Sequence, residues 1–165
     1  MGKGKLLVTM IVFAIAIIAV IVYISYMHGI GYRNTYGAPA ESPNGHFNTS
    51  PINISYEGNT LHGNVYIATS LQQLYRGYMN STSIGNCSGE GDCIGMLFIF
   101  ENQSEECFWM KNTIIPLRQL WISQNGIVTY AYNASPYSTK TVCAVGRYVL
   151  ETQLDIPVGA NVSLP

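Results

Sequence analysis

The chain has 165 residues, of which 48% are apolar and only 10% are charged, against about 25% charged residues in a typical soluble domain. The formal net charge is −1 and Lys and Arg form no cluster, so the electrostatic footprint of a nucleic-acid-binding protein is missing. We therefore expect no nucleic-acid partner.

An uncharged apolar segment at residues 6–27 follows a short N-terminus, residues 1–5, that contains Lys3 and Lys5. Its 22 residues would form a helix of roughly 33 Å, enough to cross a hydrocarbon core of about 30 Å. Because the positive charges precede it, the positive-inside rule leaves the N-terminus in the cytoplasm and the rest outside. This predicts a single-pass anchor in the cell membrane.

The alternative for this segment is a cleaved signal peptide, whose apolar region normally has about 7–15 residues. The apolar run is longer here, and the Ala-x-Ala pattern at residues 38–40 lies well beyond it and contains Pro39. A retained anchor is therefore favoured, and the following domain is exported in either case. Residues 28–50 are rich in Gly, Pro, Asn, Ser and Thr, which predicts a flexible stalk.

Residues 51–165 are numerous enough for one domain with its own core. Ile52, Ile54 and Tyr56 alternate with polar residues, which predicts a strand, and a turn follows at residues 57–59. The next elements are a strand at Val65–Ala68 and a helix at Leu71–Met79 capped by Ser70. The apolar side of this helix would contain Leu71, Leu74, Tyr75 and Tyr78.

A loop is expected at residues 80–95, followed by buried strands at Met96–Phe100 and Cys107–Met110. Asn125-Gly126 is a strong turn signal between strands at 117–122 and 127–132. Late strands are predicted at 147–151 and 160–164. The sequence therefore predicts an α+β, mostly antiparallel β domain with one short helix, preceded by an N-terminal transmembrane helix.

The four cysteines are Cys87, Cys93, Cys107 and Cys143, all beyond the apolar segment. An even number in an exported domain indicates two disulfides, with three possible connectivities. We favour Cys87–Cys93 and Cys107–Cys143. A zinc site is the alternative, but Cys-x5-Cys is not a usual zinc spacing and no histidine lies nearby in the sequence.

Seven Asn-x-Ser/Thr sequons also lie beyond the apolar segment, more than the composition alone would give. They indicate a glycosylated surface, although a chain rich in Asn, Ser and Thr makes sequons easily. The candidate residues are Asn48, Asn53, Asn80, Asn86, Asn102, Asn133 and Asn161.

Motifs of metalloproteases, serine hydrolases and phosphate-binding loops are missing, and we expect no cofactor and no metal. Glu105 and Glu106 are adjacent acids, but in a strand their side chains would point to opposite faces and could not flank one substrate bond.

Four blocks of the sequence resemble, in order, the family called domain of unknown function 192, or uncharacterised protein family 0127. The blocks span most of the domain and are Arg76-Gly77-Tyr78-Met79, Gly95 to Phe100, Phe108 to Leu117, and Val149-Leu150-Glu151. The resemblance implies a compact β-rich domain that is often exported or anchored, with no established activity, substrate or cofactor. The chain departs from the family pattern at Arg118, where the family usually has Asp, and at Gln72-Gln73-Leu74, where it usually has Glu-Glu-Arg.

Three functions are compatible with the sequence. The first is a cell-surface binding or interaction module, whose partner would be a glycan or another envelope component. The second is an enzyme acting on an envelope polysaccharide or other polymer, with Trp109 as a sugar platform and Glu101 or Glu151 as an acid. The third is a structural envelope component. Paired carboxylates converging in one pocket would favour the enzyme, and a concave patch lined by Trp109, Lys111 and Asn112 without such a pair would favour binding. A flat surface would favour a structural component.

The block from Phe108 to Leu117 provides the site hypothesis. Arg76, Trp109, Lys111 and Asn112 would line a shallow site for an anionic or sugar-like ligand. In the alternative, structural interpretation, Asn112 satisfies backbone groups of the turn before Pro116, and Lys111 pairs with an acid such as Glu151.

Overall fold

The computed structural model describes residues 47–88 and 91–164. This part of the chain contains seven β-strands and one helix, so the predicted β-sheet domain with one short helix is confirmed. In chain order the elements are β1 Asn48–Tyr56, β2 Asn59–Ala68, α1 Leu71–Arg76, β3 Cys93–Phe108, β4 Leu117–Ile122, β5 Val128–Ala134, β6 Val142–Thr152 and β7 Asn161–Ser163.

All of the described strands belong to one sheet with the order β5-β4-β6-β3-β2-β1-β7. Neighbouring strands are antiparallel except β2 and β3, which are parallel and are connected through α1. Hydrogen bonds also join the two edge strands, β5 and β7. Val128 N donates to Ala160 O at 2.9 Å, and Val162 N donates to Gly126 O at 2.7 Å. The sheet is therefore curled and has an inner and an outer face.

The inner face holds the first apolar core. Leu97, Leu120 and Leu150 are cross-strand neighbours on β3, β4 and β6, and all three are fully buried. The remaining buried residues of this core come from β1 to β5, from β7 and from the segment before β7, and they are Ile52, Ile54, Val65, Ile94, Ile122, Val128, Ile156, Ala160 and Val162.

The outer face carries a second apolar core. It contains Met96, Phe98, Trp121 and Val149 from the sheet and Tyr78 from the turn after α1. Because alternate residues of a strand face opposite sides, the residues next to the inward-facing leucines point to the outer face. The candidate site lies on this outer face.

The two apolar runs predicted as separate strands, Met96–Phe100 and Cys107–Met110, are parts of one long strand, β3, which ends at Phe108. The prediction of a break was wrong because the polar stretch between the runs contains no Gly or Pro. Its side chains can face water while the strand stays extended, and pairing with β6 resumes at Ser104. The register shifts between Ile99 and Ser104, and the Phe98 and Phe108 rings meet edge to face at 4.9 Å.

The helix is shorter than predicted. The expected span to Met79 was wrong because Gly77 has φ +45°, which ends the helix and turns the chain. Tyr78 then enters the core, whereas Leu71 and Tyr75, predicted for the apolar side, are 86% and 67% exposed. The N-cap prediction is confirmed, since Ser70 and Gln73 form a capping box.

Both predicted tight turns are present. Glu57 and Gly58, both with positive φ, connect β1 to β2, and Gly126, with φ +79°, lies in the connection between β4 and β5. Strand β1 begins at Asn48, so the last three residues of the expected stalk belong to the sheet.

All four cysteines form disulfides, with the favoured pairing of Cys87–Cys93 and Cys107–Cys143. The second bond joins directly opposed residues of β3 and β6. The zinc alternative for these cysteines was therefore wrong.

The predicted transmembrane helix at residues 6–27 lies outside the described residues, as does the stalk up to residue 46. Within 47–88 and 91–164, no helix is long and apolar enough to cross a bilayer.

Candidate functional site

A cleft of about 290 Å³ lies between the C-terminal half of α1, the turn after it, and the outer face of β3 and β6. Six of its fourteen lining residues are aromatic. The residues that line it are Leu74, Tyr75, Arg76, Gly77, Tyr78, Met79, Phe98, Phe100, Glu106, Cys107, Phe108, Trp109, Thr113 and Glu151. Three of the four sequence blocks shared with the family contribute most of these residues, and the fourth contributes Glu151.

The acid of the fourth block, Glu151, lies in the wall of the cleft and is only 4% exposed. Gln119, its cross-strand neighbour on β4, donates from Nε2 to Glu151 Oε1 at 3.0 Å. Burial in this apolar surrounding raises the pKa of Glu151 to about 7, and the Gln119 hydrogen bond opposes that shift only in part. Glu151 therefore binds a proton at pH values where an ordinary glutamate is ionised.

Tyr78 adds a second neutral polar group beside Glu151. Its hydroxyl donates to Ile84 O at 3.3 Å, and its side chain is almost fully buried. Burial raises the pKa of Tyr78, and the neighbouring Glu151 carboxyl adds to the increase. The phenol is thus uncharged at physiological pH.

Arg76 brings a positive charge to the cleft. It is the last residue of α1 and is half-buried. Within the described part of the chain the one ion pair joins Arg118 to Asp155 at 3.3 Å, so Arg76 has no carboxylate partner there. Gly77 follows directly, and a Cβ at Gly77 would lie 3.7 Å from Glu151 Oε2. The carboxyl of Glu151 therefore lies under the backbone that presents Arg76.

Glu106 is a second acid in the lining. Its Oε1 accepts a hydrogen bond from Ser104 Oγ at 2.6 Å, and its carbonyl accepts one from Trp121 Nε1 at 2.8 Å. Glu105, next to it on β3, is exposed and does not line the cleft. Glu101, one of the two acids considered for an enzyme, is also exposed and outside the lining.

The residues of the site hypothesis are only partly brought together. Arg76 and Trp109 line the cleft, and Lys111 Nζ lies 5.2 Å from the centroid of the Trp109 ring. Asn112 is exposed and is not part of the lining. It has φ +58° in a turn closed by the hydrogen bond from Thr113 N to Met110 O, and its own carbonyl accepts a hydrogen bond from Asn80 N at 2.8 Å.

The alternative pairing of Lys111 with Glu151 was wrong. Glu151 is buried and bonded to Gln119, whereas Lys111 is exposed and stacks on Trp109. A buried carboxyl and a solvated ammonium cannot pair unless one of them changes its environment.

The sequence reasoning missed Gln119, Tyr78 and the phenylalanines of β3 as site residues. Gln119 could have been recognised, because it is a polar residue in a predicted strand with apolar neighbours. A polar side chain buried there needs a hydrogen-bond partner. The phenylalanines gave no such signal because aromatic residues in strands usually serve the core.

A second groove, of about 450 Å³, surrounds Arg118. Arg118 donates hydrogen bonds to Ile156 O at 3.0 Å and to Asn133 Oδ1 at 2.7 Å, and it forms an ion pair with Asp155. The departure from the family pattern at this position therefore lies in a separate, more open surface, where its charge is already paired.

No group of three or more His, Cys, Asp or Glu residues in the described ranges could hold a metal ion.

The seven sequon asparagines are all exposed, so their side chains are accessible for modification.

Comparison with known proteins agrees with the sequence blocks. The model of a family described as DUF192, Uncharacterized ACR, matches residues 53–161. No curated protein matches the chain. Two crystal structures share the fold with TM-scores of 0.64 and 25% identity. One, from Sinorhizobium meliloti and described as a candidate transcription regulator, covers 73% of this chain and 96% of its own. The other, a protein of unknown function from Novosphingobium aromaticivorans, covers 78% and 94%.

Proposed function

Since the chain belongs to the DUF192 family, which is uncharacterised, we propose its function from the cleft itself: the domain is a module that binds a small ligand. The observation that carries this proposal is the composition of the cleft lining. Arg76, Trp109 and Glu151 are far apart in the sequence but line one concave surface among aromatic side chains. Concave sites with aromatic walls and a few convergent polar groups are typical of small-molecule binding.

The module is displayed outside the cytoplasm, anchored by residues 6–27. Two disulfides support an oxidising compartment, and the charge distribution around the apolar segment supports the orientation. The exposed sequon asparagines fit a glycosylated surface. Protease added to intact cells should remove the domain and leave a membrane stub, and a fully protected domain would contradict this placement.

A thermal-shift panel tests the binding function. The purified full chain is heated with neutral sugars, acidic sugars and small aromatic acids. A ligand present at about 100 times its Kd stabilises the folded state by roughly 2.7 kcal/mol, which is a shift of several degrees for a domain of this size. Arg76→Ala and Trp109→Ala should lose the shift, and Lys140→Ala, whose ammonium lies over Tyr132 away from the cleft, should keep it.

The panel also has a result that would refute the proposal. If none of the compounds raises the melting temperature, or if both cleft variants respond like the parent, the cleft is not the binding site.

An enzyme is the second candidate, and one observation favours it. Two acids, Glu106 and Glu151, line the same cleft, and the pKa of Glu151, about 7, is in the range of a general acid. Hydrolysis of envelope polysaccharide fragments by the parent but not by Glu151→Gln would support this candidate. Equal product formation by the two proteins would exclude Glu151 as the acid.

A further inference from the structure

We propose that the ligand of the cleft carries a carboxylate, bound by the guanidinium of Arg76 and by the O–H of protonated Glu151. This inference rests on the proposed binding function and names the chemical class of the ligand. The ligand enters ionised, and Glu151 is the neutral partner that donates the hydrogen bond.

Three features of the cleft carry the inference. Arg76 is half-buried and has no carboxylate partner within the described residues, so its charge is available to an anion. Glu151 Oε1 is already bonded to Gln119, whereas Oε2 lies near Gly77, the residue next to Arg76. Since Arg76 and Glu151 line the same cleft, a proton on Oε2 is available to a ligand that also contacts Arg76.

Burial, and not a neighbouring charge, raises the pKa of Glu151. From α1 and its turn, the titratable or charged groups in the cleft are Arg76, Tyr75 and Tyr78, and from β3 there is Glu106. β4 contributes the uncharged Gln119. No lysine lines the cleft, and Lys111 stays on the Trp109 ring. An ionised Glu151 would repel a bound carboxylate, so binding must be coupled to the Glu151 proton.

The coupling has a defined direction. Burial raises the pKa of Glu151 to about 7, so the acid is mostly protonated at pH 6 and mostly ionised at pH 8. If the carboxylate binds only the protonated form, affinity should fall about tenfold between these two pH values. At pH 8, binding should take up about one proton per ligand, and at pH 6 almost none.

Isothermal titration calorimetry of the full chain tests this inference, with benzoate and glucuronate as probes. The two probes separate an aromatic acid from an acidic sugar, and benzamide and glucose are the neutral controls. Titration in two buffers of different ionisation enthalpy gives the proton uptake. We expect one of the acids to bind at pH 6, to bind about tenfold more weakly at pH 8, and to bind more tightly than its neutral control.

The variants assign the two contacts. Glu151→Gln keeps a neutral side chain that can accept from Gln119 and donate to the ligand, so it should abolish both the pH dependence and the proton uptake. Arg76→Ala should weaken binding at least tenfold at both pH values. Lys140→Ala removes the same charge elsewhere and should change the Kd less than twofold.

Failure of the inference is distinguishable from failure of the binding function. If a neutral probe binds the cleft as well as its acid, or if acid binding is independent of pH in the parent, the ligand class is wrong but the binding function stands. If none of the four probes binds and the thermal-shift panel is also negative, both proposals fall.

Discussion

At the scale of single residues, Glu151 shows how strand geometry produces a functional group. Leu150 points into the inner core and Glu151 points to the outer face, because neighbouring residues of β6 alternate. The carboxyl is buried, and one hydrogen bond from Gln119 does not compensate for the energetic cost of burying its ionised form. The same burial that makes the acid neutral also makes the stability of the domain depend on pH.

The sign of this dependence follows from the direction of the pKa shift. The pKa of Glu151 is raised from 4.5 to about 7, so between these values the folded state holds a proton that the unfolded chain has lost. The stabilisation is fully present below pH 4.5 and is lost as the pH rises toward 7. With about 1.4 kcal/mol for each pH unit, Glu151 accounts for a decrease of roughly 3 kcal/mol over this window.

Urea unfolding of the parent and of Glu151→Gln at pH 5 and pH 7.5 measures this contribution. Because glutamine is neutral at both pH values, the variant should lack this decrease and should be the more stable protein at pH 7.5. Parallel stabilities of the two proteins across the range would show that Glu151 titrates normally.

At the same scale, the sequence predicted Arg76 and Trp109 as site residues but not their neighbours. Both stand out because a cation and a large aromatic occur within family-like blocks. Asn112 stood out for the same reason, yet its positive φ gives it a role in the backbone of a turn. Residue type and spacing do not reveal backbone conformation, so these two roles could not be separated from the sequence.

At the scale of elements, local signals predicted the turns and caps correctly. The Asn-Gly turn and the capping box at Ser70 depend on residues close in sequence, and both are present. The continuity of β3 depends instead on its partner β6, which pairs with both halves of the strand from more than 30 residues away. Sequence periodicity does not contain that long-range pairing, so the strand was predicted as two pieces.

The disulfide between β3 and β6 should stabilise the domain more than the other one. Cys107–Cys143 closes a separation of 36 residues and Cys87–Cys93 only 6, and a longer closed loop restricts the unfolded chain more. On the loop-entropy scale the two bonds contribute about 4 and about 2 kcal/mol, respectively.

Paired replacements provide the comparison. Cys107→Ala with Cys143→Ala should lower the free energy of unfolding more than Cys87→Ala with Cys93→Ala does, measured by urea unfolding under the same conditions. The reverse order would show that the Cys87–Cys93 bond contributes more than chain entropy predicts.

At the scale of the whole molecule, the fold brings together residues that the sequence separates by up to 77 positions, from Leu74 to Glu151. The curled sheet fills its inner face with one core and leaves the outer face for α1 to cover. Because α1 is only six residues long, it covers part of that face, and the cleft lies beside its C-terminal end. The class of the domain was predictable from the sequence, but the position of the cleft depends on where this short helix ends.

We assign ligand binding to this cleft and not to the groove around Arg118. Backbone amide chemical shifts of the full chain, recorded at pH 6 while benzoate or glucuronate is added, test this assignment. With the acid that binds, we expect the largest changes at Arg76–Tyr78, Phe98, Trp109 and Glu151, which line the cleft. Changes centred on Arg118, Asn133 and Asp155, or no localised changes with any carboxylate probe, would contradict it.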